Sequence, residues 1–588
     1  MIFLFFKWLY VTIISYLFGF FVSKKLNLFN VKSTEKEIHP SFIVILGFAI
    51  LTTIASYFSL VIKLGALANL LLFIIGLLIF YFYKAELKKS FTDIKSDFLA
   101  LDKKIIIVIL TTIIACISIS VHNSLNNDEG GYYAQIILWT ETYPVVPGLV
   151  NLQDRLGFNS HWHLFAALTS FSWLTHQESG EINGLVWILA TYYFLSTISA
   201  ERNKLTDFIK LTFVLFIFTP IPYLFYVMIC PSADMFIMLV IWMLFAFWID
   251  KASSNKLFDW DSSAVITIII SFFLITTKAS ALPILIIPGV IMGYNFLKKE
   301  KKGVFFLSIF ITFICSIWLV RNVILTGYLV FPFDKIDIFN PDWKGLLYDV
   351  IRQKDRIHDF GFNLYRANRI DVTGMPYFQK VYIWFTNNTE YYDRFLISCD
   401  ILSILLIIIN RKKFNASHLM IFAVLYVCII FWFLQAPDPR FAYGPIGFMA
   451  MTALYFLFYT RNATISKHTV NFFLVIIFLF HLTAIFFFQT LENKITYSKK
   501  KEVTVIPQHS KFLMPEPFPT FKLDSLYINE QIYYYNKKNK GINWDAPLPA
   551  FHRTIHNSIK KRGKSLKDGF YLSNQDTTEI IIIPYEIV

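Results

Sequence analysis

Long apolar runs separated by short polar segments make up most of the chain, in the pattern of membrane-spanning helices. A span needs about 20 consecutive, mostly apolar residues. The pattern therefore predicts an all-α polytopic membrane protein with about fourteen transmembrane helices. The predicted spans cover residues 1–22, 41–62, 64–83, 105–121, 182–199, 209–229, 233–250, 262–276, 281–297, 303–320, 395–410, 418–434, 441–459 and 469–488.

Lysine and arginine are distributed unevenly between the polar connections. One set of alternate connections holds 24 of these residues, whereas the opposite set of short connections holds four. By the positive-inside rule, the rich set faces the cytoplasm, so both termini and the loops 122–181 and 321–394 are predicted to face outward. This requires the short run 161–174 to stay in the outer leaflet as an interfacial or partly inserted helix, because a crossing would reverse every later connection.

The pattern also divides the chain into two parts. Residues 1–488 are predicted to form the polytopic membrane domain, in which segment 321–394, rich in aromatic and charged residues, is a cap or mobile loop. Residues 489–588 are predicted to form a small soluble α+β module outside the membrane. This module has a proline-rich entry and a strand-like closing run at 579–588.

The amino-acid composition excludes several classes of protein. The chain is 56% hydrophobic and only 16% charged, which excludes an ordinary soluble domain. Its five cysteines lack paired spacing, so neither a disulfide framework nor a zinc site is predicted. The net charge of +14 lies in clusters between apolar runs, where it sets topology and meets anionic lipid, so no nucleic-acid partner is expected. Walker and hydrolase-triad motifs are absent from the sequence.

The first candidate site lies directly after a predicted span, where Asp128 and Glu129 stand side by side. A carboxylate pair at a membrane surface is costly unless it has a function. Gly130 and Gly131 follow and allow the backbone to turn or to pass close to a ligand. The alternative interpretation is a solvated helix cap.

Three polar residues later in the same loop extend this candidate site: Arg155, His161 and His163. They lie among apolar residues, as expected of a loop folded over a polar cavity. On a helix, His161 and His163 would diverge by about 200°, which makes them poor joint metal ligands. We therefore predict no metal.

Four further groups fall on the same predicted side, and each has a purely structural alternative. Asp234 could belong to a helix cap. Lys278 could extend its amine toward water, and Arg321 could anchor a helix at the interface. Arg440 could simply pair with Asp438 within the stiff sequence PDPRF, where two prolines bracket the acid.

An outward cavity with carboxylates and several cations, but no ATP site, suits transfer of a group that is already activated on a lipid phosphate. A carboxylate would take a proton from an acceptor hydroxyl, and the cations would neutralise the phosphate that leaves. The candidate catalytic residues are Asp128, Glu129 and Asp234. The candidate substrate- or lipid-phosphate-binding residues are Lys278, Arg321, Arg440, Arg155, His161 and His163.

The sequences DEGGYYAQ, PSADM and PDPRF, together with the late RN element, resemble the GT-C superfamily of integral membrane glycosyltransferases. The run VVPGLVNLQDRLGFNSHW most resembles an uncharacterised bacterial family of GT-C-like membrane proteins with a VPGL...LGFNS signature. The resemblance covers roughly residues 100 to 450. It implies a GT-C-like fold and an inverting transferase, with the catalytic acid at Asp128 and a second acid at Asp234. The chain departs from the family in having more spans before Asp128 and no metal-binding DxD pattern.

The sequence thus predicts a glycosyltransferase of the bacterial cytoplasmic membrane that acts on the outer face. It would transfer a sugar from a polyprenyl-phosphate donor to an envelope glycan or lipid, with membrane lipid as partner and no cofactor. An envelope polysaccharide polymerase or ligase is the alternative enzyme, and it would use arginines of the 321–394 loop, namely Arg352, Arg356, Arg366 and Arg369. A lipid-linked sugar transporter and a non-catalytic membrane scaffold are two competing hypotheses outside the enzyme class.

Overall fold

A computed structural model describes the chain from residue 1 to residue 582 with several gaps. The residues outside the description are 32–37, 124–125, 199–203, 217–226, 299, 365–368, 459–466, 499–507, 520–521, 538–541, 553, 574–579 and 583–588. Arg366 and most of the closing run 579–588 therefore lie outside the described residues.

The described part is mostly helical. Its α-helices, in chain order, are α1 Ile2–Lys24, α2 Pro40–Phe58, α3 Ala66–Phe82, α4 Lys84–Leu99, α5 Lys103–Ser120, α6 Ala134–Thr142, α7 His161–Thr169, α8 Ser172–Thr175, α9 Asn183–Ser196, α10 Lys204–Phe216, α11 Ala233–Ser253, α12 Ser262–Thr277, α13 Ile286–Leu297, α14 Lys301–Thr326, α15 Leu347–Asn363, α16 Tyr377–Ile383, α17 Tyr391–Ile409, α18 Ala416–Gln435, α19 Tyr443–Phe458, α20 Lys467–Ser498 and α21 Gln508–Leu513.

Eight of the described helical segments are long and apolar enough to cross a membrane. They are α1, α2, α5, α11, the segment Ala279–Leu297 that contains α13, α14, α18 and the part His468–Ile485 of α20. A ninth is counted if α3 and α4, which meet at 89°, form one bent span. The prediction of a mostly helical chain with several candidate membrane-spanning helices is thus confirmed for the described residues.

The remaining predicted spans correspond to helices that are shorter or more polar. The apolar helices α12 and α19 each have 16 residues. Helices α9 and α10 have 14 and 13 residues, and α17 contains Asp393 and Asp400. Residues 217–226 of the predicted span 209–229 and residue 459 of the predicted span 441–459 lie outside the described residues.

Close contact between α1 and α2 organises the first part of the bundle, and two glycines permit it. A Cβ atom on Gly47 would lie 1.8 Å from the Ser15 carbonyl oxygen, and one on Gly19 would lie 1.9 Å from that of Ile43. Small residues that let two backbones approach are typical of helix pairs in membranes. Any side chain at either position would force the two helices apart.

The polar connections gather at two ends of the bundle. At the lysine-rich end, the Trp260 Nε1 donates to the Phe29 carbonyl at 3.0 Å, and the Asn415 amide donates to the Ala252 carbonyl at 2.7 Å. The C-terminal ends of α5, α12, α14 and α18 and the start of α11 lie at the other end, around the candidate site. This grouping agrees with the alternation of the connections in the sequence; the membrane side that each end faces stays a prediction.

Helix α7 is buried inside the protein, which corrects the expectation of an interfacial helix over 161–174. All nine residues of α7 are buried, and the helix packs against α2, α6 and α12. At 1.5 Å per residue it is about 13.5 Å long, so it cannot cross a membrane. Only the following short helix reaches the surface, where Trp173 and Leu174 are exposed.

The C-terminal region contains three antiparallel two-stranded sheets. They pair β1 Asp524–Ile528 with β2 Gln531–Tyr535, β3 Thr554–His556 with β6 Ile580–Ile582, and β4 Ile559–Lys561 with β5 Phe570–Leu572. This region shares one hydrophobic cluster with the loop after α5, in which Trp139 and Leu149 pack with Phe551 and Phe570. The predicted α+β module is therefore joined to the candidate site by a common core.

Candidate functional site

A cluster of three carboxylates and three cations occupies the end of the bundle beneath the C-terminal region. Its residues come from the loop after α5, the first turn of α11, the residue after α12 and the turn between α18 and α19. We call it the six-charge cluster; it consists of Asp128, Arg155, Asp234, Lys278, Asp438 and Arg440. Its formal charges sum to zero.

Asp128 lies between two arginines. Its Oδ1 accepts from Arg155 Nη1 at 3.1 Å, and its Oδ2 accepts from Arg440 Nη1 at 3.2 Å. Only 19% of the Asp128 side chain is exposed. Burial acts to raise the pKa of Asp128, but the charges of Arg440 and Arg155 outweigh it and hold the pKa below its usual value. Asp128 is thus a half-buried, ionised carboxylate whose oxygens both bind guanidinium groups.

The backbone around Asp128 is fixed from both sides. The Asp128 amide donates to the Asn126 side-chain oxygen at 3.0 Å, and a π-helical turn, Glu129–Tyr133, leads directly into α6. The C-terminal region then holds this turn, because the Gly130 carbonyl accepts from the amides of Asn543 and Trp544, both at 2.9 Å. The sequence of the tail gives no signal for this contact.

Lys278 and Asp234 form the second ion pair of the cluster. The Lys278 amine donates to Asp234 Oδ1, and it lies 3.6 Å from the centroid of the Phe441 ring. The Arg440 guanidinium lies 4.7 Å from the same centroid. Ser232 is the N-cap of α11 and Asp234 lies in its first turn, so both residues begin the helix as the structural alternative expects, and the Asp234 side chain also binds Lys278. Phe441 brings the two ion pairs together through cation–π contacts.

In the PDPRF turn, Arg440 pairs with Asp438, as the structural alternative expects, and also binds Asp128 of the cluster. Arg440 Nε contacts Asp438 Oδ2 at 2.7 Å, while its Nη1 reaches Asp128. Burial raises the pKa of Asp438, against the opposing charge of Arg440. Two indole N–H groups hold the turn, that of Trp432 on the Asp438 carbonyl and that of Trp384 on the Pro437 carbonyl. Arg440 is therefore shared by two acids on a rigid turn.

Segment 321–394 covers the cluster, as the predicted cap should. The Phe360 ring of α15 lies 5.2 Å from the Arg440 guanidinium. Arg356 Nη1 lies 3.4 Å from Asp154 at the rim of the cluster. By contrast, Arg352 pairs with Asp349 on its own helix. Of these two arginines expected in the polymerase alternative, Arg356 thus contacts the rim of the cluster and Arg352 does not.

His163 borders the cluster as a neutral residue. Its ring centroid lies 4.4 Å from that of Tyr133, and neither ring nitrogen has a hydrogen-bond partner among the described residues. Burial lowers the pKa of His163 to about 3, while the charge of Asp128 acts in the opposite direction. An uncharged imidazole with two free nitrogens can bind a hydroxyl of a substrate but cannot neutralise a phosphate.

Three residues predicted for the same site lie outside the six-charge cluster. Glu129 is buried and makes none of the ion pairs of the cluster, and its charge helps to raise the pKa of Glu178 after the larger effects of burial, Glu141 and Asp545. His161 Nε2 is 3.2 Å from Ser56 Oγ. Arg321 binds Asn159. Adjacent helical residues point about 100° apart, which separates the side chain of Glu129 from that of Asp128. Residues two positions apart diverge by about 200°, which separates His161 from His163.

No group of three or more His, Cys, Asp and Glu residues is arranged to hold a metal ion within the part of the chain that the structure describes. The nearest titratable neighbours of Asp128 are the two arginines, Lys278 and two tyrosines. The donor set therefore suits an anion better than a cation.

Residues 1–447 match the model of a protein family described as a domain of unknown function, DUF8201. The chain belongs to the DUF8201 family. All six cluster residues lie inside the matched region, whereas α20 and the C-terminal region that covers Gly130 lie beyond it. No curated protein and no solved structure matches this DUF8201 chain.

Proposed function

We propose that this DUF8201 protein is a membrane glycosyltransferase with a GT-C-like architecture. It transfers a sugar from a polyprenyl-phosphate donor to an envelope glycan or lipid acceptor, with inversion, on the outer face of the bacterial cytoplasmic membrane. The observation that carries the proposal is the pairing of Asp128 with both Arg155 and Arg440 in a half-buried cluster at the end of the helical bundle.

The net charge of the cluster is zero, so the argument for an anionic ligand rests on its two guanidinium groups. Guanidinium groups bind phosphate oxygens in the same bidentate geometry in which they bind carboxylates. A donor phosphate therefore competes with Asp128 for Arg155 and Arg440, and Lys278 lies close enough to contribute its charge. Once the arginines turn to the phosphate, the Asp128 carboxylate loses its counter-ions and becomes a stronger base.

The reaction would then proceed in one displacement. The acceptor hydroxyl gives its proton to an Asp128 oxygen, and its own oxygen attacks the anomeric carbon of the sugar. The bond between that carbon and the phosphate oxygen breaks, and polyprenyl phosphate leaves with the bonding electrons. Arg155, Arg440 and Lys278 neutralise the leaving phosphate, and no metal or other cofactor takes part.

The membrane architecture in this proposal has about fourteen spans. In addition to the eight long apolar segments, helices α3, α9, α10, α12, α17 and α19 would cross the bilayer. Those of 13 to 16 residues are shorter than the hydrocarbon core requires, so surrounding helices and local thinning of the bilayer must complete their passage.

The test uses the full chain in vesicles with polyprenyl phosphate as the binding probe and a panel of radiolabelled polyprenyl-phosphate sugars as donors. Asp128→Asn should bind polyprenyl phosphate but lose about 10² to 10⁴ in turnover, the usual contribution of a general base. Arg440→Ala should weaken binding by about 2 to 5 kcal/mol, because one partner of a desolvated charge pair is removed.

Glu129→Gln is the matched control, because this acid lies outside the cluster, and it should retain turnover. Full activity of Asp128→Asn together with loss of activity in Glu129→Gln would exchange their roles. A wild-type chain that binds no polyprenyl phosphate would contradict the proposal. Loss of activity in Arg356→Ala with an unaffected Asp128→Asn would favour the polymerase or ligase.

A further inference from the structure

Arg321 is a buried cation whose hydrogen-bond partners are neutral. It lies five residues before the end of α14 and is only 5% exposed. Its Nε donates to the Asn159 side-chain oxygen at 3.1 Å, and its Nη1 donates to the Ser59 hydroxyl. Its Nη2 makes no hydrogen bond to any described residue, and no described carboxylate lies within 4 Å of the guanidinium.

The other buried cations show how unusual this arrangement is. Lys7 and Lys210 are as deeply buried as Arg321, and both have an acid beside them. Lys7 lies 3.7 Å from Glu181, and Lys210 lies 2.8 Å from Asp250. Burial of a charge without a counter-ion is costly, so an arginine in this position requires a negative partner from outside the described chain.

A small cavity in front of Arg321 provides room for such a partner. Its volume is about 30 Å³, and Arg321 lines it together with Ser59, Thr140, Tyr143 and Asn159. One water needs about 10 to 15 Å³ of such space, so the cavity holds about two oxygen-sized groups. That is enough for two oxygens of an oxyanion but too little for an organic ring.

His161, a titratable side chain on which the charge of Arg321 acts, does not supply the missing charge. His161 is near enough for Arg321 to affect it, but burial first, and the charge of Arg321 second, lower the pKa of His161 to about 3. At neutral pH the ring is therefore uncharged. Arg321 is thus the one charged side chain among the residues that line the cavity, and the others are neutral polar or apolar side chains.

We propose that the Arg321 cavity binds the phosphate group of an anionic ligand, separately from the six-charge cluster. Two phosphate oxygens would face the guanidinium, whose planar fork matches that geometry. Arg321 lies five residues, or about 7.5 Å along the axis, before the C-terminal end of α14, which is a candidate membrane helix. The phosphate belongs either to a lipid headgroup or to a free phosphate ion, and this site does not depend on the proposed transfer reaction.

The experiment measures the apparent Tm of the full chain after delipidation in a neutral detergent. Inorganic phosphate is titrated in one arm, and phosphatidylglycerol in phosphatidylcholine vesicles in the other, with phosphatidylcholine alone as reference. The variants are Arg321→Gln, which keeps hydrogen-bonding capacity without the charge, and Arg321→Lys, which keeps the charge without the fork. Arg411→Gln, at an exposed position of the lysine-rich end, is the matched control.

We expect a saturable rise in Tm for the wild type and for Arg411→Gln. In Arg321→Gln the half-saturating concentration should increase about 30-fold or more, and Arg321→Lys should lie between the two. A response to both probes assigns the site to the phosphate group itself, whereas a response to phosphatidylglycerol alone assigns it to a lipid headgroup. Without any anion, Arg321→Gln should be at least as stable as the wild type, because an uncompensated charge has been removed.

Two results would overturn the inference. One is an anion response in Arg321→Gln equal to that of the wild type, which would assign the anion to other residues. The other is the absence of any anion response in the wild type, with Arg321→Gln less stable than the wild type. Arg321 would then be a structural hydrogen-bond donor to Ser59 and Asn159.

Discussion

The contact between Gly130 and the C-terminal region offers the sharpest test of how the site is held. A Cβ atom on Gly130 would lie 2.3 Å from Ile542 Cγ2 and 2.7 Å from Trp544 Cε2. Both side chains belong to the segment whose backbone amides bind the Gly130 carbonyl. Gly130→Ala therefore forces this segment away from the turn that begins just after Asp128.

The expected cost follows from packing. Extra methyl groups in a well-packed site usually cost about 1 to 3 kcal/mol. The two amide hydrogen bonds to Gly130 would lengthen as the segment moves, which adds up to about 1 kcal/mol for each. We therefore expect Gly130→Ala to destabilise the packing of the C-terminal region against this turn by about 2 to 4 kcal/mol. Turnover should also fall, because the turn next to Asp128 loses the contacts that hold it.

Gly131 is a matched control on the next residue. Its added Cβ would lie 3.8 Å from the nearest atom, on His552, which is an ordinary contact. Because alanine favours a helical backbone over glycine, Gly131→Ala should be neutral or stabilising by about 0.5 to 1 kcal/mol.

The assay compares the apparent Tm of the full chain and the rate at which a protease releases the C-terminal region. Gly130→Ala should speed release at least tenfold, and Gly131→Ala should leave it unchanged. The double variant Gly130→Ala with Ile542→Ala should recover part of the loss, because the nearest methyl group is gone. If the two glycine variants have the same Tm and the same rate of release, the C-terminal region does not hold this turn in place.

Three further predictions follow from single features. Burial raises the pKa of Glu141 to about 7. The contribution of protonated Glu141 to stability is therefore present below pH 4 and lost as the pH rises through 7, so the Tm should fall between pH 5 and pH 8. Glu141→Gln should abolish this fall in Tm, whereas Glu86→Gln, at an exposed position, should not. Turnover should survive EDTA, and loss of turnover with rescue by one divalent ion would contradict the metal-free mechanism. In intact cells an impermeant thiol reagent should label Tyr527→Cys but not Lys302→Cys, both at exposed positions, and the reverse would exchange the predicted sides.

Hydropathy predicted the fold well where the length of an apolar run alone decides whether a helix forms. Long apolar runs such as those of α1, α2 and α14 became helices because a bilayer or a helical core satisfies the backbone only in that form. The run 161–174 shows the limit of this reasoning, since a short apolar helix inside a bundle and one at the lipid interface have the same composition. Its burial depends on neighbours such as α2 and α12, which hydropathy does not encode.

The candidate site was predictable as far as local chemistry allows. Charges at the ends of apolar runs, at Asp128, Asp234, Lys278 and Arg440, converge because alternate connections lie at the same end of a bundle. Side-chain direction separates the rest, as with Glu129 and Arg321. The closure of Gly130 by Trp544 joins residues more than 400 positions apart and depends on tertiary packing alone.

The two arginine sites differ in a way that bears on the proposed reaction. In the six-charge cluster each cation is already paired with a carboxylate. A donor phosphate that binds Arg155 and Arg440 must therefore displace Asp128 from them. Under the proposed function, the same exchange frees the base only when a donor is present. A resting Asp128 held by two guanidinium groups is a weak base, which protects the cavity from unproductive proton transfer. Arg321 has no carboxylate to displace among the described residues, so binding of an oxyanion there would not be coupled to the release of a base.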